Sequence, residues 1–233
     1  MSEKVCAVVG MGPGNGAAYA RRFAAEGYKV ALLSRNAEAL AAFETEIAGT
    51  RAFLWDAREA QQAPGVFDRI KTELGPVDVL LYNAGAGAFK SIEEASFEDF
   101  ESAWRTNVLG LAAAAQAVIP DMVAKGEGAI VVSSATAALR GGAKFAPFAS
   151  AKAAQRSLAQ SMARQLGPQG VHVANIIIDG MIDIPRWKAQ MPEKPDDFWV
   201  SSDGIADAAW TLVNQPKRAW TFELDLRPYG ERW

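Results

Sequence analysis

Four glycines near the start of the chain have a spacing that suits phosphate binding. They follow an apolar run, residues 5–9, and precede a stretch of helix-forming residues: Gly10, Gly12, Gly14 and Gly16. A strand, a loop with little side-chain bulk and a helix start would bring backbone N–H groups and the positive end of a helix dipole to one point. The stretch therefore predicts a nucleotide-binding loop in preference to a structural turn.

The residues that end the second apolar run indicate which dinucleotide the loop would bind. An acidic residue after residues 30–33 would bind the ribose hydroxyls and repel a 2′-phosphate, but the chain has Ser34 and Arg35 there. Ser34 leaves room, and the forked cation of Arg35 matches a phosphate group. An exposed surface arginine is the alternative interpretation. The two residues favour NADP(H) over NAD(H) as the cofactor.

The elements that position these residues follow from the pattern of the whole chain. Helical patterns separate the apolar runs, which lie at residues 5–9, 30–33, 52–54, 77–82, 129–132, 171–178 and 220–226. Such alternation predicts right-handed βαβ crossovers and a Rossmann-type α/β fold, a doubly wound parallel sheet of about seven strands with helices on both faces. Its ligands would lie beyond the carboxyl ends of the strands. A chain of 233 residues without a proline- or serine-rich linker fits one domain, residues 1–233.

Composition and charge argue against several other classes of protein. A net charge of −3 and a pI near 5.4 give no basic surface for nucleic acid. No apolar stretch approaches about 18 residues, the length of a membrane span, and no leader pattern begins the chain. Cys6 is the single cysteine, and no cluster of His, Cys and carboxylate residues has metal-ligand spacing. We expect a cytoplasmic protein that binds no metal, nucleic acid or membrane.

Three motifs together resemble the short-chain dehydrogenase/reductase family over nearly the whole chain. They are the glycine loop counted from Gly10 as G-x-x-x-G-x-G, the segment Asn83-Ala84-Gly85, and the segment Thr106-Asn107-Val108-Leu109-Gly110. Val9 stands where that family usually has Thr. The resemblance implies a nicotinamide cofactor held by the following residues: Gly10, Gly14, Asn15, Gly16, Ser34, Arg35, Asp56, Asn83, Ala84, Gly85, Lys152, Gly180 and Ile182.

The resemblance also assigns roles to single residues. Asp56 would contact the adenine amino group, and a helix cap is the alternative interpretation of this carboxylate. Asn107 would lie at a helix distortion and hold a water linked to the catalytic Lys152, which also binds the nicotinamide ribose hydroxyls. Gly180 and Ile182 match a loop that lines the nicotinamide.

The catalytic segment departs from the family pattern at its acid. The family has Tyr-x-x-x-Lys, in which the lysine lowers the tyrosine pKa so that the phenol can protonate a developing alkoxide. Here the element reads Phe148-Ala149-Ser150-Ala151-Lys152. Counting back without a gap puts the family's serine position at Ala135, and Ser134 serves only with a shifted loop. The predicted catalytic residues are Lys152, Asn107 and Ser134, with Phe148 and Ala135 facing the substrate.

Two further segments carry predictions about the substrate and about assembly. Residues 183–202 hold several aromatic side chains among prolines and charges, which suits a lid over an apolar substrate, with Trp187 facing that substrate. Packing of these aromatics onto the core is the alternative. The small residues near Ala112 and the helix after Phe148 predict a homodimer or homotetramer.

Two functions fit these observations. One is an NADP(H)-dependent oxidoreductase acting on a small or medium apolar carbonyl or alcohol, with Ser134, Thr136 or a water held by Lys152 as an altered proton donor. The other is a catalytically silent NADP(H)-binding protein that acts as a sensor or as a partner in an oligomer. The retained Lys152 and Asn107 favour the enzyme, whereas Phe148 with Ala135 favours the silent protein.

Overall fold

Strands and helices alternate along the computed structural model, which describes residues 3–231. The strands are β1 (Val5–Val9), β2 (Lys29–Ser34), β3 (Thr50–Leu54), β4 (Val77–Tyr82), β5 (Gly128–Ala135), β6 (Val171–Ile178) and β7 (Glu223–Leu226). The α-helices are α1 (Asn15–Ala25), α2 (Ala37–Glu46), α3 (Ala63–Glu73), α4 (Phe97–Trp104), α5 (Gly110–Lys125), α6 (Ala146–Leu166), α7 (Pro185–Gln190) and α8 (Ser202–Val213). The predicted domain also includes residues 1–2 and 232–233, which lie outside the described residues.

The strands form one parallel sheet in the order β3-β2-β1-β4-β5-β6-β7. The chain adds β2 and β3 on one side of β1 and then returns to place β4 on the other side. The strand order therefore reverses between β1 and β4, and a crevice is expected beyond their carboxyl ends. The predicted α/β fold with a doubly wound parallel sheet is confirmed.

Apolar side chains cover both faces of the sheet, which explains why the central strands are uninterrupted apolar runs. One buried layer includes Phe67 of α3, Leu111 of α5 and Met162 of α6. The opposite layer includes Phe23 of α1 and Ile205 of α8. Every residue of β1 is buried between these layers, so the glycine loop begins from a fixed strand.

The edge strands differ from the sequence prediction in their bounds. β3 begins at Thr50, before the predicted residues 52–54, because an edge strand also takes polar and half-exposed residues. β7 begins at Glu223, after the predicted start at residue 220, because Trp220 stacks on the ring of His172. Both differences lie away from the crevice.

A long apolar helical stretch runs from Phe97 to Lys125, through α4, a π-helical turn (Arg105–Leu109) and α5. It is long and apolar enough to cross a membrane, with a mean hydropathy of 1.4 in its most apolar window. The expectation that no apolar stretch approaches that length is therefore wrong on length and composition. Leu111, Val118 and Met122 of this stretch are buried against the sheet, and a core helix passes the same test.

Candidate active site

A cleft of about 270 Å³ opens at the carboxyl ends of β1, β2, β3 and β4. It lies where the strand order reverses, as expected for a ligand site in an open parallel sheet. Residues that follow four different strands line it together: Gly10, Ser34, Arg35, Asp56, Asn83, Ala84 and Gly85, with Thr106 from the π-helical turn. The cleft thus gathers most of the residues that the sequence assigned to a cofactor.

Gly10 brings the glycine loop against the turn that follows β4. Its φ is +93°, and a Cβ built on it would lie 2.6 Å from the Ala84 Cα and 2.7 Å from the Asn83 carbonyl carbon. Only glycine allows this backbone conformation together with this approach. Gly16 is also crowded, since a Cβ there would lie 2.8 Å from the Gly10 carbonyl oxygen.

The amino-terminal end of α1 faces this loop without a side-chain cap. Gly14 is the N-cap residue and makes no side-chain hydrogen bond, and the first turn of α1 holds no acidic residue. A helix start of this kind offers backbone N–H groups and a positive dipole end to an anion. The geometry fits a phosphate group.

Asn83 fastens the turn after β4 to the glycine loop. Its Nδ2 donates a hydrogen bond of 2.8 Å to the Gly10 carbonyl oxygen, and its backbone N–H donates one of 2.8 Å to the Val9 carbonyl oxygen. Asn15 is buried beside it, and its Nδ2 lies 3.4 Å from the Asn83 Oδ1. Asn83 therefore fixes the shape of the cleft through backbone contacts.

Ser34 and Arg35 form the rim of the cleft at the end of β2. The Ser34 Oγ accepts a hydrogen bond of 3.1 Å from the Asn36 backbone N–H, and Asn36 caps α2 through the Ala39 N–H. The Arg35 side chain is exposed, and within residues 3–231 it forms no ion pair. The rim thus presents a guanidinium group to the cleft.

Asp56 is held in place by a neighbouring arginine. The Arg58 Nε donates to both carboxylate oxygens, at 3.1 and 3.0 Å, and the Arg58 Nη2 donates to Oδ2 at 2.6 Å. The Asp56 Oδ1 also accepts the Arg58 backbone N–H, so the carboxylate caps the turn that follows β3. The Arg58 guanidinium lowers the pKa of Asp56. An ionised carboxylate that lines the cleft can still accept a further hydrogen bond.

Lys152, Gln155 and Asn107 form a buried hydrogen-bonded chain between α6 and the π-helical turn. The Lys152 Nζ donates to the Ser133 carbonyl oxygen at 3.0 Å and to the Gln155 Oε1 at 2.9 Å. The Gln155 Nε2 donates at 2.9 Å to the Asn107 carbonyl oxygen. Burial lowers the pKa of Lys152 to about 8. Sequence reasoning missed Gln155; the available signal was a polar residue three positions after Lys152 on a helix that packs on the core.

The side chain of Asn107 holds the turn after β4. Its Nδ2 donates to the Ala86 carbonyl oxygen at 2.6 Å and to the Ala103 carbonyl oxygen at 2.8 Å. The second bond satisfies a carbonyl group where the π-helical turn interrupts the regular helix. The Asn107 Oδ1 is buried and accepts no hydrogen bond from the residues that the structure describes.

The space beside Gly85 fits a ribose. A Cβ at Gly85 would lie 3.7 Å from both the Asn107 Oδ1 and the Lys152 Nζ, so an acceptor and an ammonium group border one position. Lysine has three donors, and two of those on Lys152 are used. A hydroxyl group could donate to the amide oxygen and accept from the third donor. The residues present therefore fit a nicotinamide ribose.

Ser134 lies near the end of β5, and Phe148 lies in the first turn of α6. Ser134 is buried, and its Oγ has no hydrogen-bond partner among residues 3–231, whereas Ser133 bonds to the Tyr19 hydroxyl at 2.9 Å. Phe148 lies one turn before Lys152 on α6 and is half-buried. Its ring packs closely against Gly87. Ala135, half-buried, ends β5.

Three phenylalanines form what we call the aromatic cluster: Phe89, Phe145 and Phe148. The Phe89 ring centroid lies 5.1 Å from that of Phe145 and 5.5 Å from that of Phe148. Phe89 is 58% exposed and Phe145 is 39% exposed, so the cluster offers an accessible apolar surface, and its member Phe148 lies one turn before Lys152 on α6. Phe89 and Phe145 were absent from the sequence prediction because only the fold brings them together.

The loop after β6 lies against the glycine loop. Gly180 has a φ of +137° and lies against Val200, and Ile182 pairs with Val200 in a single bridge. The side chain of Ile184 lies directly over Gly14. The first part of segment 183–202 therefore borders the glycine loop.

The aromatic residues of segment 183–202 divide between two positions. Trp199 is buried in the core, which agrees with the packing alternative. Trp187, on α7, is half-exposed with the Arg186 guanidinium 5.1 Å from its ring centroid. Among residues 3–231, no group of three or more His, Cys, Asp or Glu side chains could hold a metal ion.

The sequence of most of the chain matches one family. A model of the short chain dehydrogenase family matches residues 4–194. The chain belongs to this family. The D-threitol dehydrogenase of Mycolicibacterium smegmatis is 30% identical over 92% of this chain and 87% of its own length. The predicted short-chain dehydrogenase-type oxidoreductase is confirmed at this level.

Solved structures of the family superpose on the chain over nearly its full length. A short-chain dehydrogenase from Rhodopseudomonas palustris is 37% identical, with a TM-score of 0.83 over 97% of this chain and 99% of its own. A metagenomic short-chain oxidoreductase in complex with NADP is 25% identical, with a TM-score of 0.85 over 99% of both chains. An NAD+-bound xylitol dehydrogenase is 25% identical, with a TM-score of 0.86 over 96% of this chain and 97% of its own.

Proposed function

We propose that the protein is an NADP(H)-dependent oxidoreductase that acts on a small or medium apolar carbonyl or alcohol. The observation that carries the proposal is the space beside Gly85, bordered by the Lys152 ammonium and the unpartnered Asn107 Oδ1. Both groups would bind the nicotinamide ribose hydroxyls, which fixes the ring at the end of the cleft. The bound cofactor supplies or accepts the hydride.

The proposed cofactor contacts follow the length of the cleft. Asp56 would accept a hydrogen bond from the adenine amino group. The phosphates would lie at the start of α1, against Gly10, Gly14, Asn15 and Gly16. Ser34 and Arg35 would bind the adenosine ribose with its 2′-phosphate, and the segment Asn83–Gly85 would border the chain of phosphates and ribose. Gly180 and Ile182 would line the nicotinamide.

The preference for NADP(H) rests on the exposed Arg35 at the cleft rim. Related structures hold NADP in one case and NAD+ in another, so calorimetric titration of both cofactors is the test. NADPH should bind more tightly than NADH, and Arg35→Asp should lower NADPH affinity about tenfold because it replaces a phosphate ligand by a repelling carboxylate. Arg218→Asp makes the same charge change on another exposed residue and should leave both affinities unchanged. Equal affinities in the wild-type protein would end this assignment.

The proposed proton donor differs from that of the family. Phe148 stands where the family has its tyrosine, and Ala135 stands where it has its serine, so neither supplies a proton. The buried Ser134 hydroxyl would bind the substrate oxygen, and a water beside Lys152 would provide the proton. An ammonium group whose pKa is about 8 exchanges protons readily near neutral pH.

The substrate class follows from the aromatic cluster. Its exposed rings pack on Phe148, one turn before Lys152 on α6, and would favour an apolar or aromatic group beside the reacting carbonyl carbon. Segment 183–202, with Trp187, would close over that group as a lid. The single domain of residues 1–233 would then contain the complete site.

Turnover is tested by following NADPH oxidation with a panel of aliphatic and aromatic aldehydes and ketones. Apolar aromatic carbonyls should react fastest, and Lys152→Met should abolish both turnover and tight NADPH binding. Lys125→Met, on the other end of the sheet, is the matched control. Tight NADPH binding without oxidation of any substrate, in either direction, would instead identify a catalytically silent NADP(H)-binding protein.

The proposed homodimer or homotetramer is supported by apolar residues on the outer face of the helix from α4 to α5. Phe97 is 94% exposed, and Trp104 and Leu109 are also exposed on the same stretch, near Ala112. A second copy would cover these side chains and allow close helix packing. Light scattering at micromolar concentration should show an assembly, and a monomer would contradict the proposal.

A further inference from the structure

We propose that Gln155 is a positioning residue that holds the Lys152 ammonium at the cofactor ribose. Its amide accepts a hydrogen bond from Lys152 and donates one to the Asn107 carbonyl oxygen, so it joins directly the two residues that the family resemblance implies are joined through a water. The inference rests on the proposed function in one respect, that Lys152 binds the cofactor.

We call the Gln155 side chain with its two hydrogen bonds, to Lys152 and to Asn107, the bridge. Both hydrogen bonds have ordinary lengths. The distance from the Gln155 Oε1 to the Lys152 Nζ is 2.9 Å, and that from the Gln155 Nε2 to the Asn107 carbonyl oxygen is 2.9 Å. Gln155 is fully buried, and both functional ends of its amide are used. A buried amide is costly unless it is bonded in this way, so the bridge explains why a polar residue occupies a core position of α6.

An amide and a water differ in what they do for a buried lysine. A water can turn, leave and pass a proton to its neighbours, whereas a glutamine amide keeps one orientation and neither takes up nor releases a proton near neutral pH. The bridge therefore fixes the Lys152 ammonium and carries no proton itself, so protons would reach Lys152 only from the side where the cofactor and its neighbouring water would lie. This agrees with a site whose acid half is apolar at Phe148 and Ala135.

Of the groups around Lys152, the Gln155 side chain is the one that a substitution can change most directly. β5 contributes the Ser133 carbonyl oxygen, the π-helical turn contributes the Asn107 amide, and the turn after β4 contributes Gly85. Burial accounts for the lowered pKa of Lys152, and no charged side chain of the described residues adds to it. Changing the acceptor at position 155 should therefore change the pKa of Lys152 in a known direction.

The test uses two substitutions at this position. Gln155→Met keeps the length and removes both hydrogen bonds, so the pKa of Lys152 should fall below that of the wild-type protein. Gln155→Glu keeps the acceptor and adds a negative charge, so this pKa should rise. Side-chain NMR titration of the cofactor-free protein measures both, with Lys152→Arg used to assign the signal. Gln165→Met, an exposed position on the same helix, should change nothing.

Cofactor affinity provides the second readout. Calorimetry should show about tenfold weaker NADPH binding for Gln155→Met at neutral pH, since a hydrogen bond to a charged group is lost, and an affinity within about threefold of wild type for Gln155→Glu. The loss of affinity with rising pH should begin at lower pH for Gln155→Met. This follows because a neutral lysine donates more weakly to the ribose.

The outcomes separate the two proposals. An unchanged Lys152 pKa and an unchanged NADPH affinity in Gln155→Met would overturn the role of Gln155. If that variant does not fold, an unchanged pKa in Gln155→Glu would overturn it equally, and a raised pKa would support it. If the wild-type protein binds no NADPH, the proposed function fails while the NMR titration still decides whether the amide holds Lys152.

Discussion

The two ends of the cleft are built differently. At the proposed cofactor end, three polar side chains have fixed partners: Asn83 bonds to Gly10, Asp56 to Arg58, and Lys152 to Gln155. At the substrate end, the hydroxyl of Ser134 has no partner among the described residues, and the aromatic cluster is partly exposed. The first end is shaped before any ligand arrives, whereas the second leaves its contacts to the ligand.

This difference has a physical basis. A buried polar group without a partner costs about 1–3 kcal/mol, so a chain keeps few of them unless a ligand completes them. The Asn107 Oδ1 and the Ser134 Oγ are two such groups: the first borders the position beside Gly85 that Lys152 also borders, and the second lies near the end of β5. We infer that the Asn107 Oδ1 binds a ribose hydroxyl of the cofactor and that the Ser134 Oγ binds an oxygen of the substrate.

The largest effect should come from the prearranged end, at Gly10. Gly10→Ala places a Cβ against the backbone of the turn after β4 and forces a left-handed conformation on alanine. We expect a loss of about 2–4 kcal/mol in stability and a loss of at least about 100-fold in NADPH affinity. Thermal unfolding and calorimetry measure the two.

Gly12→Ala is the matched control for this substitution. A Cβ at Gly12 meets no atom of residues 3–231 within 4 Å, so the stability of this variant should equal that of the wild-type protein. Any loss of NADPH affinity in Gly12→Ala alone would report contact with the ligand itself. Equal stability of the two variants would show that the loop is not fixed by its contact with β4.

The sequence predicts the prearranged end better than the open end, because much of the prearranged end is formed by residues that are close together in the sequence. β1 and the loop from Gly10 to Gly16 are contiguous, so the apolar run and the glycines can be read together. The aromatic cluster at the open end joins Phe89 to Phe145 across a long separation in the chain, and so does a contact that the sequence missed at the prearranged end, from Gln155 to Asn107. Such contacts depend on how helices pack, which periodicity alone does not give.

The next largest effect should come from the open end, where a substitution can add the missing proton donor. Phe148→Tyr places a phenol one turn from Lys152, whose ammonium would lower the phenol pKa. We expect a gain of about 10- to 100-fold in carbonyl reduction, at the lower end of acid–base contributions. Adding Ala135→Ser to the variant should increase the gain. Steady-state rates with aromatic aldehydes measure it.

Phe89→Tyr is the control for the added hydroxyl group. Because Phe89 packs on Phe148 in the aromatic cluster, this variant adds the same hydroxyl group to the proposed substrate surface but not at the position one turn from Lys152 on α6. It should show no gain like that of Phe148→Tyr, and any change should appear in the KM for the aldehyde, because only Phe148→Tyr places the phenol one turn from Lys152. If the Phe148→Tyr and double variants bind NADPH normally and gain no activity on a broad carbonyl panel, a missing acid is not what limits the site.

The smallest effect returns to the prearranged end, at the pair formed by Asp56 and Arg58. The guanidinium lowers the pKa of Asp56, so the carboxylate stays ionised to lower pH in the folded protein. Arg58→Met lets that pKa rise toward the ordinary value of about 4. At pH 7 the carboxylate is ionised either way, so NADPH affinity should fall only about threefold, from the looser orientation of its oxygens. As the pH falls toward the carboxylate range, Asp56 is protonated at a higher pH in the variant than in the wild-type protein. The protonated group accepts hydrogen bonds from the adenine amino group less well, so the variant should bind NADPH progressively more weakly than the wild-type protein. Calorimetric titrations at several pH values give the two curves, and parallel curves would show that Asp56 holds the turn after β3 without touching the cofactor.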